Sequence, residues 1–198
     1  MSRVRVRRYK EGDAESLAQI FFRSVHEGAR ADYTREQVDA WATEAPSPAL
    51  FEQRARDGRS VFVAKDDDGV VAYGDLEPDG HIDHLYCAPE YIGSGVGSVL
   101  YDAVEALAIR QGIARLYVEA SESARRLFER KGFRCARDKS CASAAYRCTT
   151  ISWTSHSNAA RLQTDTARPA NDRQRRPRVR TARRQTLCPI SPGRSCGR

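Results

Sequence analysis

One stretch constrains this chain more than any other: Leu85-Tyr86-Cys87-Ala88-Pro89-Glu90-Tyr91-Ile92-Gly93-Ser94-Gly95-Val96-Gly97-Ser98. A strand-like run over residues 81–87 stops at Pro89, and a glycine-rich turn follows. An amphipathic helix then opens, with Val99, Leu100, Val104 and Leu107 on one face and Gly112 just past its end. Gly93, Gly95 and Gly97 have no Cβ, so a ligand can approach their backbone and the chain can take positive φ. The first N–H groups of a helix lack internal partners and carry the positive end of its dipole. Such a turn suits a phosphate or diphosphate. Glycines alone fit equally well a tight connection that binds nothing. Two nucleotide motifs do not fit. No Gly-Lys-Ser/Thr follows the turn, and no βαβ unit with an acidic ribose partner surrounds it.

The surroundings add specificity. Cys87-Ala88-Pro89 followed by Ile92-Gly93-Ser94-Gly95-Val96-Gly97 resembles motif A of the GNAT superfamily of N-acetyltransferases, in which Val-x-Pro closes a strand and Gln/Arg-x-x-Gly-x-Gly/Ala opens the loop. Ser121-Glu122-Ser123-Ala124-Arg125-Arg126-Leu127-Phe128-Glu129-Arg130-Lys131-Gly132-Phe133 is similar to the family's Asn-x-x-Ala-x-x-Phe-Tyr-Glu-x-x-Gly-Phe. Arg8-Tyr9-Lys10-Glu11-Gly12-Asp13-Ala14 looks like its first strand and turn, and the likeness covers residues 3–140 in the expected order.

The resemblance implies acetyl transfer from acetyl-CoA, as co-substrate and with no metal, to a primary amine of a small molecule or protein. It implies that the loop amides of Gly93, Ser94, Gly95, Val96, Gly97 and Ser98 hold the diphosphate. It also implies that Leu85, Tyr86 and Cys87 pair their backbone with the pantetheine arm, with an N–H near Leu85 facing the oxyanion. Ile92 stands where Gln or Arg is usual, Ser121 replaces the usual Asn, and Phe128 replaces the Tyr that commonly protonates the leaving thiolate. Tyr86, Tyr117 or water is left to supply that proton. An acidic residue on the strand before the loop commonly accepts the amine proton. His81 matches that position by offset, and Asp83 shares its face, because side chains two apart on a strand do so. Histidine suits base work near neutrality. Glu77 is a weaker candidate, and Asp83 with His84 equally fits a plain polar pair. His26, Tyr33 and Trp41 are candidates to line the acceptor pocket, or else ordinary packing.

The rest of the chain reads as an ordered series. Residues 4–9 form a strand, and Asp13 caps a helix with Leu17, Ile20, Phe21 and Val25 at helical spacing. Thr34 and Gln37 form a capping box, and Ser47-Pro48 opens a helix to about residue 57. Strands follow over 60–65, 70–76 and 81–87, joined by Asp67-Asp68-Gly69 and Pro78-Asp79-Gly80. After the loop helix come a strand over 115–119, a helix over 123–131 and a strand over 133–137. This predicts an α/β fold, a mixed and mostly antiparallel central sheet flanked by helices, with the family's terminal strand missing.

The net charge of +7 is misleading. Residues 141–198 hold twelve Arg, no Lys and two Asp, for +10, which leaves −3 on residues 1–140. The reading is therefore a GNAT-like domain over 1–140 and a basic, low-complexity, disordered tail over 141–198. No apolar run long enough to span a membrane and no secretory signal appear, so a cytoplasmic protein with no membrane partner is expected, as monomer or homodimer. The six cysteines include no Cys-x-x-Cys pair and support neither a zinc site nor a disulfide framework. Two alternatives remain: a catalytically impaired acyl-CoA-binding domain, favoured by Ile92 and Phe128, or a nucleic-acid-binding protein acting through its tail. No aromatic stacking pattern accompanies the tail's charge, which argues against nucleic acid. A reading-frame shift near Ser140 accounts for both the tail and the missing strand. Permissible codons for residues 141–155, read two bases later, give RVRGVPLHNYLMDK, similar to the family's closing strand. The nucleotide sequence tests this, since codons incompatible with that peptide remove the reading.

Overall fold

The computed structural model describes residues 3–29, 32–137 and 146–149. The chain divides into two compact units, Met1–Ser152 and Trp153–Arg198, the second lying outside the described residues. The expected disorder of the tail over 141–198 likewise lies outside the described residues, except at 146–149. Cys135 is disulfide-bonded, although the cysteine spacing supported no disulfide framework.

Two apolar strands make the centre. β2 (Ser60–Lys65) and β3 (Val70–Leu76) are buried over nearly their whole lengths. Alternation along β2 divides the core. Phe62 and Ala64 join the cluster of α4 (Val96–Arg110), with Leu100, Val104 and Ala108, whereas Val61 and Val63 join that of α1 (Ala14–Arg23) and α3 (Pro48–Arg56), with Leu17, Ile20 and Phe51. A strand covered on both faces cannot alternate polar with apolar, hence the uninterrupted run Val61-Phe62-Val63-Ala64. β1 (Arg5–Arg8) pairs antiparallel with β2, β2 with β3, and β3 with β4 (Leu85–Cys87), in the order β1-β2-β3-β4. A second sheet has the order β5-β7-β6, from β5 (Tyr117–Ala120), β6 (Arg134–Arg137) and β7 (Tyr146–Thr149). α5 (Glu122–Arg130) connects β5 to β6.

β7 corrects the expectation of a missing terminal strand. It pairs antiparallel with both β5 and β6, with Val118 opposite Cys148 and Arg134 opposite Thr149. Tyr146-Arg147-Cys148-Thr149 alternates well enough to hold four residues between two ladders. The first unit therefore runs past residue 140, the boundary read from composition.

Several local expectations hold. Thr34 accepts from the Gln37 amide while the Gln37 side chain accepts from the Thr34 amide, and together they open α2 (Arg35–Trp41). Others do not. Asp13 makes no side-chain cap; its carboxylate takes a fork of two bonds from Arg7, at 2.7 and 2.8 Å, and one from the Lys10 amide. Val99, placed by the sequence on the buried face of α4, is 49 % exposed, because the Val96, Leu100, Val104, Ala108 ridge takes that face.

The two sheets meet at one place. Ile82 N–H donates to Tyr117 O at 2.9 Å and Tyr117 N–H to Gly80 O at 3.1 Å, with His81 and Tyr117 bridged in parallel. Gly80 makes the junction possible. Its φ is +95°, and a Cβ there would lie 2.2 Å from the Arg115 carbonyl oxygen. Gly80→Ala should therefore cost at least about 2 kcal/mol, from strain and backbone overlap together, read as a lower urea midpoint.

Candidate active site

Past that junction β4 and β5 diverge and leave a cleft. Leu85 and Tyr86 line one side, residues 118–121 the other, Ala124 and Phe128 of α5 the floor, and Trp41 of α2 the edge. The expected strand over 81–87 is thus only Leu85–Cys87. Residues 81–84 are not a regular strand: Asp75 N–H still donates to His84 O at 2.9 Å and Glu77 N–H to His81 O at 2.8 Å, but two amides of the segment turn to the Asp75 side chain instead. Asp75 Oδ1 accepts the amides of Asp83 at 3.1 Å and His84 at 2.8 Å. Its Oδ2 accepts from Arg54 and Arg59, each at 2.9 Å. Asp75 is 2 % exposed, so its charge requires these partners.

At the far end of the cleft the chain turns through Pro89–Tyr91 into the glycine loop. Gly93 and Gly95 take φ of +80° and +92°, and Gly95 is the N-cap of the 15-residue α4. Ser94 N–H is used by Tyr91 O and Ser98 N–H by Gly95 O. Among the described residues the amides of Gly93, Gly95 and Gly97 have no hydrogen-bond partner. Three donors at the positive end of a helix form an anion cradle. Val96 is buried and anchors the helix, and Ile92 is 49 % exposed beside the loop.

The residues expected to do chemistry separate into groups. Asp83 lines the cleft but is paired with Arg54 and, at 3.0 Å, with Arg59. Burial alone would raise its pKa; the surrounding charges, both guanidiniums among them, outweigh this and hold the carboxyl far below the usual range. A carboxylate held that way is a poor proton acceptor. Tyr86 packs between Tyr73, Phe21 and His84, and burial pushes its hydroxyl well above the usual value, which weakens it as an acid. Tyr117 points away, donating to Asp79 at 2.7 Å. Phe128, 1 % exposed, meets Tyr101 and Phe133 edge-on, so the position of the family's tyrosine is apolar core. Cys87 is half-buried and its thiol is pushed up to about 12, chiefly by burial.

Among the acceptor-pocket candidates, Trp41 lines the cleft. Tyr33 meets it edge-on and accepts from the Glu122 amide at 3.0 Å, joining the α2 region to the start of α5. His26 instead contacts the Ala42 carbonyl at 2.6 Å and packs on Phe22, so it serves the fold. Ser121 lines the cleft and caps α5 by accepting from the Ala124 amide at 3.3 Å.

His81 is the centre of a group that sequence reasoning only half saw. Its Nε2 lies 2.7 Å from Glu119 Oε2, and its Nδ1 lies 3.7 Å from Glu77 Oε2. The ring stacks on Tyr117, with centroids 4.7 Å apart. Burial disfavours the imidazolium, but Glu119, Asp83 and Glu77 together outweigh it and raise the pKa above the ordinary histidine value. Glu119, Asp75, Arg54 and Arg59 were not singled out. Only pairing across the β4–β5 junction brings Glu119 to His81, which lies 38 positions earlier.

Two measurements follow. Asp75→Ala removes a buried carboxylate from two arginines and two amides, so a loss of about 3–5 kcal/mol is expected in urea unfolding. His84 is ringed by Phe21, Phe51, Tyr73 and Tyr86, and burial lowers its pKa from 6.5 to about 4. The unfolded chain binds that proton first, so stability supplied by neutral His84 is complete above about pH 6.5 and lost as pH falls toward about 4. The urea midpoint of His84→Asn should therefore vary less over that window than that of the wild type.

The comparisons with known proteins agree with this geometry. The profile of the acetyltransferase (GNAT) domain matches residues 29–154. An uncharacterized N-acetyltransferase of Escherichia coli K12, YafP, is 30 % identical over 139 residues, covering 70 % of this chain and 87 % of the relative. A GCN5-related N-acetyltransferase from Rhodopseudomonas palustris superposes with a TM-score of 0.66 at 33 % identity, over 76 % of this chain and 96 % of its own. YncA of Salmonella typhimurium, solved with acetyl-CoA, shares the fold at a TM-score of 0.59 and 18 % identity, over 79 % and 97 % of the two chains. With its loop at the head of α4 and its parted strands, the chain belongs to the GNAT family of acetyl-CoA-dependent acyltransferases.

Proposed function

We propose that this chain transfers the acetyl group of acetyl-CoA directly to a primary amine of a small molecule or protein. One observation carries the reading. The partnerless amides of Gly93, Gly95 and Gly97 follow β4, whose Leu85 and Tyr86 line the cleft, and Glu119, paired with His81, lines its other wall. A diphosphate at the loop sends its attached arm along the cleft toward that pair. The YncA structure contains acetyl-CoA, which supports the same donor here.

The site fits this group on its own residues. The cradle supplies donors and no carboxylate, and the cleft floor of Ala124 and Phe128 is apolar, as a thioester end requires. Acetyl-CoA supplies the acetyl group in activated form. The backbone of Leu85 and Tyr86 orients the arm, and the Leu85 N–H is the proposed donor to the acetyl oxygen. The His81 cluster removes the proton that keeps the amine from acting as a nucleophile.

Phe128 favours a second reading, an acyl-CoA-binding domain with impaired turnover, because the cleft floor offers no hydroxyl at that position. A thiolate leaves tolerably well without an acid, so slowed rather than lost activity is the expected consequence. Release of CoA across a panel of amines separates the two readings, since both bind acetyl-CoA and only the first releases thiol.

Ser98→Glu tests the cradle. A carboxylate in the first turn of a helix does not harm the helix, but here it repels a diphosphate. Acetyl-CoA should raise the melting temperature of the wild type, and S98E should keep the wild-type melting temperature without ligand while binding at least about tenfold more weakly. An equal ligand-induced shift in both proteins would remove the loop from the binding site.

A further inference from the structure

We infer that Glu119, and not His81, is the group that touches the acceptor amine and takes its proton, with His81 as the store that receives it next. The inference rests on the amine acetylation proposed above. Its ground is the placement of the two side chains: Glu119 lines the cleft, whereas both ring nitrogens of His81 are directed at carboxylates, Nε2 at Glu119 and Nδ1 at Glu77. His81 occupies the position expected of a base by its offset from the loop, but neither ring nitrogen faces the cleft; its approach to the amine runs through Glu119.

The step balances within the chain. One N–H bond of the acceptor ammonium breaks, its electron pair stays on nitrogen, and an O–H bond forms on the Glu119 carboxylate. That proton then passes across the 2.7 Å contact to Nε2 of a neutral His81, leaving Glu119 ionised and the ring an imidazolium between Glu119 and Glu77. The competent form before the step has His81 neutral, with its N–H on Nδ1 toward Glu77.

The charges around His81 set the pH dependence. Glu77 faces it from the end of β3, and burial raises that carboxyl as well, while Arg59 pairs with Glu77 at 2.9 Å. Asp83 lies on its own segment and is held by Arg54 and Arg59. Asp79 accepts the His81 amide, Tyr117 of β5 stacks on the ring, and the Arg115 guanidinium lies 6.0 Å from the Tyr117 ring centroid. Arg147 of β7 stands opposite Glu119 in the ladder. The surplus is acidic next to the ring, so the neutral form prevails only above the ordinary histidine range, and the rate should rise with pH through a midpoint above 6.5.

Glu119→Gln and Glu119→Asp in the full chain test the inference. Expected for E119Q is a loss of about a hundredfold or more in kcat, with the acetyl-CoA-induced thermal shift kept and part of the rate restored in E119D. The second readout needs no turnover: in NMR titration of the ring protons, the His81 midpoint should be raised in the wild type and fall in E119Q. Wild-type rate in E119Q with amine acetylation intact overturns this inference alone. So does a His81 midpoint that does not move. A wild type that binds acetyl-CoA but acetylates no amine at any pH overturns the proposed function and this step with it.

Discussion

The segment leading into β4 touches β5 at Gly80–Ile82 and Tyr117, β4 itself then stands apart from β5, and much of the molecule either causes that separation or uses it. A parallel pair would ordinarily continue its ladder. Here two hydrogen bonds anchor the start, and the strands then leave each other with backbone groups directed into the gap. Unpaired strand edges invite association. An extended pantetheine arm with its own amides is chemically matched to such a gap, which is the path proposed for it. The junction is also where His81 reaches Glu119, so one contact both opens the cleft and brings together the pair proposed to handle the proton.

The separation has an electrostatic cause. Asp75 satisfies the Asp83 and His84 amides that a regular ladder would have paired, and Arg54 from α3 and Arg59 from the turn before β2 neutralise it. A buried charge is tolerated only with such partners. The same two guanidiniums also bind Asp83, so the carboxylate just before β4 is spent on structure. The proposed acid–base role then falls to the other side of the cleft, where Glu119 and Glu77 face the His81 ring.

Much of this was legible because it is local. The glycine loop, the Thr34–Gln37 box, the strand runs over 60–65 and 70–76, and the family motifs all depend on neighbours within a few residues. What was not legible depends on distant pairings. Asp75 looks like any polar residue at a strand end until Arg54, Arg59 and two amides 8 and 9 positions later converge on it. Val99 was misplaced because the pattern of α4 offers two overlapping apolar stripes, and only the sheet chooses between them. β7 was discounted on composition, yet its four residues need only fit between two existing edges, a tertiary demand that propensity does not record.

The same physics decides between direct transfer and a covalent acetyl-enzyme. Cys87 is the only sulfur nucleophile on β4, beside the proposed path of the arm. A thiol attacks as thiolate. Burial, with Glu90 adding repulsion, pushes the Cys87 thiol up to about 12, which disfavours the thiolate near neutrality. This supports the proposed direct attack of the amine on the thioester, in which the acidic groups lie around His81 rather than around the sulfur.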